Sequence, residues 1–368
     1  MRNLNGIIHW ILGKLRSLRP HIVPILLTII IGIIITIIST PIVSIIYPTP
    51  GEPIYTGQYT GQWTLQTESA EWSPRYLAGS VVMPDGSIVL MGGSASNGEL
   101  QSDVWRSVDN GVSWTQMTAN AEWSGREAMG AVALPDGSIV IMGGGKDNVF
   151  YWHGTHYNDV WRSVDNGASW IQMTANAEWD ARLGFGSVAL SDGSIVIMGG
   201  VGNRGTYADV WQSKDLGATW TRLSPFAWIY SNKSFGCVVT ADDGIVVMGG
   251  RPDGGSRAGI WVSRDKGMTW SPVGDSNHRM YPGAVVMPDG SIVLMGGIVG
   301  GLYRNDVWRS EDDGATWTEI IPSSKWSPRA GFGYVSTSQG HIVLMGGGQD
   351  TLGGGPHYKN DVWLFTPT

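Results

Sequence analysis

The 368 residues contain one cysteine, Cys237, so no disulfide can form within the chain and no cysteine-pair metal or redox motif is available. Basic side chains are also short: 24 Lys and Arg stand against 31 Asp and Glu. An acidic chain repels a phosphate backbone, which argues against nucleic acid as a partner. Acid itself is missing from residues 1–47, whose only charged side chains are Arg2, Lys14, Arg16 and Arg19, so the acidic excess lies wholly in the remainder. Phenylalanine is scarce, six residues against 19 tryptophans. Glycine is abundant, 53 residues with no triplet period, which points to many short strands joined by tight turns rather than to a collagen-like rod.

Residues 21–47 read "HIVPILLTIIIGIIITIISTPIVSIIY", an apolar run without a charge. That is long enough to cross a bilayer as a helix, which takes about 20 residues. Lys14, Arg16 and Arg19 precede it, and the positive-inside rule keeps residues 1–20 cytoplasmic and sends the rest outward. The run exceeds the usual apolar core of a cleaved signal, and "STPIVSIIYPTP" is a poor small-residue cleavage site, so the segment reads as a retained anchor. Residues 48–61, rich in Pro and Gly, form a linker to the body at 62–368.

The body is one unit written six times. "SIVLMGG" at 87–93 recurs, with small changes, ending at Gly144, Gly200, Gly250, Gly297 and Gly347, every 47 to 56 residues. Each copy follows a short apolar strand and a turn such as "PDG". Each is followed by "DVW", once "GIW", and then by a last strand such as "WTQM". β-branched runs bounded by Gly and Asp turns are strands, and runs lacking alternation are covered on both faces. Four antiparallel strands per period of about 50 residues, six times over, describe an all-β, six-bladed β-propeller. The last copy stops after its third strand at "NDVWLFTPT". "GQWTLQTESAEWSPR" at 61–75 matches "VSWTQMTANAEWSGR" at 112–126, so residues 63–67, Trp63 to Thr67, are expected to supply the missing fourth strand and close the ring.

The tandem glycines after the second strand, the Trp after the third and the Arg ahead of the first resemble the kelch repeat. Between third and fourth strands runs Ser-x-Asp-x-Gly-x-Ser/Thr-Trp, at 107–114, 163–170, 213–220, 263–270 and 310–317. It resembles the Asp-box of sialidases and related propellers. A hairpin is the chemistry to expect there. Asp109, Asp165, Asp215, Asp265 and Asp312 accept hydrogen bonds from turn amides, the Gly takes φ > 0 and the Trp packs between blades.

Antiparallel order puts the "PDG" turns and these hairpins on one end of the propeller, and the variable loops on the other, where function is more often carried. Arg75, Arg126, Arg182, Arg279 and Arg329 each precede a first-strand Gly by four residues; in the fourth repeat that slot is Asn232. Sialidases bind a carboxylate with three arginines, so an anion ring is one reading. The other is a brace, with Glu71, Glu122 and Glu178 of "AEW" as nearby partners. The resemblance to galactose oxidase would further require a Cys joined to a Tyr, a second Tyr and two His; Cys237 follows "FG" in an innermost strand and reads as a small core residue.

The longest variable loops are those of the second repeat, "GKDNVFYWHGTHYN", and of the sixth, "GQDTLGGGPHYKN". Flanking blade 1, they could wall a groove offering Asp147, Tyr151, Trp152, His153, His156, Asp350 and His357 to a glycan or peptide. A metal held by His153, His156 and His357 is the alternative, but exposed loop histidines are ordinarily solvated, and no metal or cofactor is assigned. No pair of carboxylates unique to one or two repeats marks a hydrolase. The sequence therefore reads as a membrane-anchored propeller on a prokaryotic surface that binds a protein or carbohydrate. A diverged glycan-active enzyme and a structural envelope protein are the alternatives.

Overall fold

The computed structural model describes residues 61–146, 154–225, 234–250, 259–275, 279–351 and 355–368. The chain divides at Gln58 and Tyr59 into two units, and everything described belongs to the second. No helix among the described residues is long and apolar enough to cross a membrane; residues 21–47 lie outside them.

The second unit is a six-bladed propeller of four-stranded antiparallel blades. Blade 1 runs from the axis outward as Gly79–Val82, Ile88–Met91, Val104–Ser107 and Thr115–Thr118. Blades 2 to 5 repeat that order from their innermost strands Gly130–Ala133, Gly186–Ala189, Phe235–Val239 and Gly283–Val286. In the sixth sheet Gly333–Ser336, Ile342–Met345 and Val362–Pro367 are followed by Gly61–Thr67, which lies antiparallel to the last with Trp63 opposite Phe365. Each innermost strand packs against those of the blades before and after it, and Gly333–Ser336 lies against Gly79–Val82.

Burial explains the composition of each strand. The second strands are covered on both faces: Ile88, Val89 and Met91 have no exposed surface. Burying such a side chain stabilises by up to about 1.5–3 kcal/mol, which is why these strands carry Ile, Val and Met without alternation. Innermost strands alternate instead, Val81 turned into the blades and Ser80 and Val82 toward the axis. The fourth strands, such as Thr115–Thr118, are half out in solvent and correspondingly polar.

Neighbouring blades are held together by tryptophan and by glycine. Trp72 meets Trp114 edge-on at 6.0 Å, and Trp123 meets Trp170 and Trp179 meets Trp220 at 5.9 Å. Edge-to-face geometry sets the positive rim of one ring against the negative face of the other. Gly167 lies in the second hairpin at φ 90°, and a Cβ there would stand 2.5 Å from Cγ1 of Val104 in the preceding blade. The hairpin glycine thus serves both the turn and the approach of one blade to the next.

Candidate functional site

The five aspartate hairpins are alike in detail. In the first, the Ser107 hydroxyl donates to Asp109 Oδ1 (2.7 Å) and accepts from the Gly111 amide (2.8 Å). The Ser113 amide and hydroxyl donate to the two oxygens of the same carboxylate (3.0 and 2.6 Å). The residue after the Asp is left-handed in every copy: Asn110, Asn166, Leu216, Lys266 and Asp313. Burial by itself would raise the Asp109, Asp165, Asp215 and Asp265 carboxyls, but the Ser or Thr hydrogen bonds outweigh it and hold them below the usual range. At Asp312 the Thr316 hydrogen bonds are the largest influence and act the same way. These carboxylates spend their acceptor capacity on their own turns.

The arginines ahead of the innermost strands are buried. Arg75 is 1% exposed; its Nη1 and Nη2 clasp both oxygens of Asp103 (2.7 and 2.8 Å), Nη1 also donates to Gly92 O and Nε to Ser73 O. Arg126 with Asp159, Arg182 with Asp209, Arg279 with Asp306 and Arg329 with Asp361 repeat the clasp. The indole N–H of the following Trp completes each carboxylate's partners, as Trp105 does for Asp103 at 2.7 Å. The carboxylate in each case is the Asp of "DVW", not the Glu of "AEW". Glu122 and Glu178 instead accept from the backbone amides of Trp170 and Trp220 in the next blade. The sequence does contain a signal for the true partner. The repeat with Asn232 in the arginine slot is also the one with Gly259 in place of the Asp, so the two charges were replaced together.

The tandem glycines join this brace to the neighbouring blade. The Gly93 N–H donates to Arg126 O (2.9 Å), Gly144 to Arg182 O, Gly297 to Arg329 O and Gly347 to Arg75 O. Gly93 sits at φ 93°, and a Cβ on it would press against Tyr76 O and Ala78. Asn158, Asn305 and Asn360, just before the Asp, latch the next interblade loop through its carbonyls, Asn158 Nδ2 donating to Ala177 O and Trp179 O.

Around the axis on the variable-loop face runs a backbone collar. Leu77, Ala128, Gly184, Ser234, Tyr281 and Gly331, one from each blade, all have φ between 50° and 61°. Head-to-tail hydrogen bonds link them: Leu77 N–H to Gly331 O, Ala128 to Leu77, Gly184 to Ala128, Ser234 to Gly184 and Tyr281 to Ser234, at 2.7–3.0 Å. Over it lies an apolar cluster that includes Leu183, Val201, Tyr281, Ile298 and Ala330, with Tyr76 and Tyr303 packed on it.

Four tyrosines gather there. Tyr76 stacks on Tyr358 (5.2 Å, 10° between planes) and leans on Tyr281 at 6.2 Å. Burial, with Tyr281, Tyr303, Tyr358 and the Glu127 carboxylate nearby, pushes the Tyr76 phenol well above its ordinary value. Why these tyrosines face the axis is a matter of register. Tyr303 and Tyr358 stand three residues before the Asp of "DVW", whereas Tyr157 and Tyr207 stand two before it. One residue along an extended segment reverses the face, so Tyr157 and Tyr207 lie over Arg126 and Arg182 instead, 4.2 and 4.1 Å from the guanidinium carbon.

Of the loop residues singled out from the sequence, Asp147, Tyr151, Trp152 and His153 lie outside the described residues. His156 is half-buried and its backbone bridges to Gly145. The sixth-blade loop is a ribbon, Gly348–Thr351 against Gly355–Tyr358, with Asp350 opposite Pro356 and an exposed His357 opposite Gln349. Its Tyr358 reaches Tyr76 at blade 1, the blade over which a groove was expected. Among the described residues, no three His, Cys, Asp or Glu side chains gather as a metal site needs. Cys237 and Tyr334 share one tier of the central channel, but among the described residues no His lines that tier, so the described residues do not fit a copper-radical centre. Burial pushes the Cys237 thiol up to about 11, away from nucleophile chemistry at neutral pH.

No known protein-family model matches the chain, and no curated protein shows significant similarity to it.

Proposed function

We propose that the protein is a kelch-like binding module. In this reading it is tethered outside a prokaryotic cell by the helix at 21–47, its ring is held shut by the strand at 61–67, and its variable-loop face recognises a surface protein or carbohydrate. The observation that carries the reading is the division of labour between the two classes of polar residue. The recurrent Asp, Arg and Asn side chains are consumed by turns, braces and latches. The departures from the repeat, Tyr76, Tyr281, Tyr303 and Tyr358, gather at the axis on the variable-loop face, opposite the aspartate hairpins. Aromatic side chains that combine an apolar body with a hydroxyl suit sugar rings and protein surfaces, because they add contact area at low conformational cost.

The test is a screen of glycans and surface proteins against the full chain in lipid nanodiscs, with metal content measured in parallel. The expected result is a metal-free protein with a ligand whose affinity falls at least tenfold on Tyr303→Ala or on deletion of residues 147–154. It should be unchanged by Ser113→Ala on the hairpin face. Turnover of a glycan, or binding indifferent to both loop changes, would overturn the reading.

A further inference from the structure

Four of the six seams between blades are filled in the same way. The position three before the arginine slot holds Trp72, Trp123, Trp179 and Trp326 in four repeats, and each is buried with a second buried Trp in the cluster that joins its blade to the one before. In the fourth and fifth repeats that position holds Ile229 and Ser276. Among the described residues, the clusters between blades 3 and 4 and between blades 4 and 5 accordingly bury only Val, Ile, Leu, Met and Ala, with Trp270 and Trp317 partly buried against them. Aromatic side chains bury more area than any aliphatic one, so the two seams of blade 4 are the poorer ones.

Blade 4 also lacks the clasp, with Asn232 and Gly259 where the other blades carry Arg and Asp. Its innermost strand still lies against those of blades 3 and 5, but its outer part is tied to them by bonds of another kind. Among the described residues, the ion pairs that cross from one blade to another are all made by the hairpin of blade 4. Arg264 Nη2 bonds Asp313 of blade 5 (2.8 Å), and Lys266 Nζ bonds Asp192 of blade 3 (2.8 Å) and reaches Asp243 of its own blade (3.2 Å). The Ser191 amide and hydroxyl of blade 3 donate to the same Asp243 carboxylate (2.8 and 2.7 Å). Exposed ion pairs are weak and screened by salt, whereas a buried tryptophan contact is not.

We propose that blade 4 is a built-in gate of the ring, parting from blades 3 and 5 as one unit while the other four seams stay shut, with ionic strength setting how often it opens. Proteins open locally in contiguous units, and the least densely packed unit opens at the lowest free energy. Cys237, Val238 and Val239 of this blade line the central lumen, so the gate opens the channel along one side. It belongs to the frame of the propeller and stands whether or not the variable-loop face binds a ligand.

Hydrogen exchange with mass spectrometry on the full chain in nanodiscs, in urea below the unfolding transition, tests the gate. Relative to their unfolded rates, the amides of Ile245–Gly249 and Gly259–Ser263 should exchange at least a hundredfold faster than those of Ile139–Met142 and Val160–Ser163 in blade 2. Raising the salt tenfold should speed blade 4 about threefold and leave blade 2 unchanged. Asn232→Arg with Gly259→Asp supplies the missing clasp. Gly259 opens the third strand, and the Trp261 indole nitrogen lies 3.2 Å from where its Cβ would stand, in place to bond the new carboxylate as Trp105 bonds Asp103. That variant should slow exchange in blade 4 at least tenfold. Arg264→Ala with Lys266→Ala, both exposed, should speed it about threefold and remove its salt response, and this pair decides if the clasp variant fails to fold. Equal exchange in blades 2 and 4, a blade 4 rate indifferent to salt and to the loss of its ion pairs, or one that the clasp does not slow overturns the proposal.

Discussion

Trp63 stands edge-on to Trp326, ring centroids 5.7 Å apart and planes at 81°, with Phe365 tilted against its other side at 5.4 Å. The pair reproduces Trp114 with Trp72, Trp170 with Trp123 and Trp220 with Trp179. In each of those, the Trp that opens or precedes a fourth strand meets the Trp of the loop leading into the same blade. Trp63 therefore does for blade 6, from the start of the propeller sequence, what Trp114 does for blade 1 from within it.

If that contact holds the ring shut, Trp63→Ala should cost about 3–5 kcal/mol, the range for emptying a buried aromatic site. Trp63→Phe should cost visibly less. Deleting residues 1–67 should go further and convert a single urea transition into a broader one, because the edge of Val362–Pro367 is then unpaired. Urea denaturation followed by tryptophan fluorescence measures all three; a truncated chain as stable as the whole would refute the role.

Two glycines with nearly equal backbone angles separate strain from packing. Gly86, at φ 83°, has open space where a Cβ would go, whereas Gly167, at φ 90°, has Val104 of the neighbouring blade there. Gly86→Ala should lose roughly 1–2 kcal/mol from the left-handed backbone alone. Gly167→Ala should lose that and a further overpacking cost of about 1–3 kcal/mol. Equal midpoint shifts for the two variants would show that the close approach between blades carries no energy.

The architecture was legible because a propeller writes each blade with the same environment. A strand covered on both faces must read Ile-Val-x-Met, as Ile88–Met91 and Ile195–Met198 do. The pairings within each blade were harder to see, because a contact between residues some thirty apart leaves no local pattern. Arg75 was visible and Asp103 was not, and only the joint loss at Asn232 and Gly259 betrays the link. The tyrosine cluster was missed for another reason. Whether a loop tyrosine lies on an arginine, as Tyr157 does, or turns to the axis, as Tyr358 does, depends on a one-residue register that composition does not record. The loop at 147–153, the longest departure from the repeat, lies outside the described residues.

The clasp at Arg126 gives a sharper energetic expectation than a surface ion pair would. Its guanidinium has no exposed surface and bonds Asp159 at 2.6 and 2.9 Å, Gly143 O and Ser124 O. Arg126→Ala leaves the partly buried Asp159 carboxylate without its counter-charge, held only by the Trp161 indole N–H, and should cost about 3 kcal/mol, the low end of the range for breaking a buried pair. Arg126→Lys should recover less than half, because an ammonium cannot make the two-pronged bond. Full recovery by lysine would show that charge alone matters.

Acid should unfold the propeller through the same groups. Burial would raise Asp209, Asp306 and Asp361, but the hydrogen bonds and charge of Arg182, Arg279 and Arg329 hold all three below the ordinary 3.8. The hairpin aspartates lie below it too. With folded values depressed, the unfolded chain binds protons first, so the contribution is complete above about pH 5 and is lost as pH falls through 3.8 and below. The urea midpoint should be flat from pH 7 to 5 and fall steeply between pH 4 and 3. A midpoint that rises on acidification would contradict the assignment.

The collar makes the opposite kind of prediction, a substitution that stabilises. Ala128 is held at φ 51° in a ring where Gly184 and Gly331 occupy equivalent places at φ 60° and 59°. A left-handed alanine costs roughly 1–2 kcal/mol, and the extra freedom of glycine in the unfolded chain takes back roughly 0.5–1 kcal/mol. Ala128→Gly should therefore raise stability by about 0.5–1 kcal/mol without weakening the bond from residue 128 to Leu77 O. Gly184→Ala, its mirror in the next blade, should lower stability by a similar amount. If both variants destabilise, the alanine methyl is supporting the apolar cluster above the collar, and packing rather than backbone strain decides which residue the ring accepts.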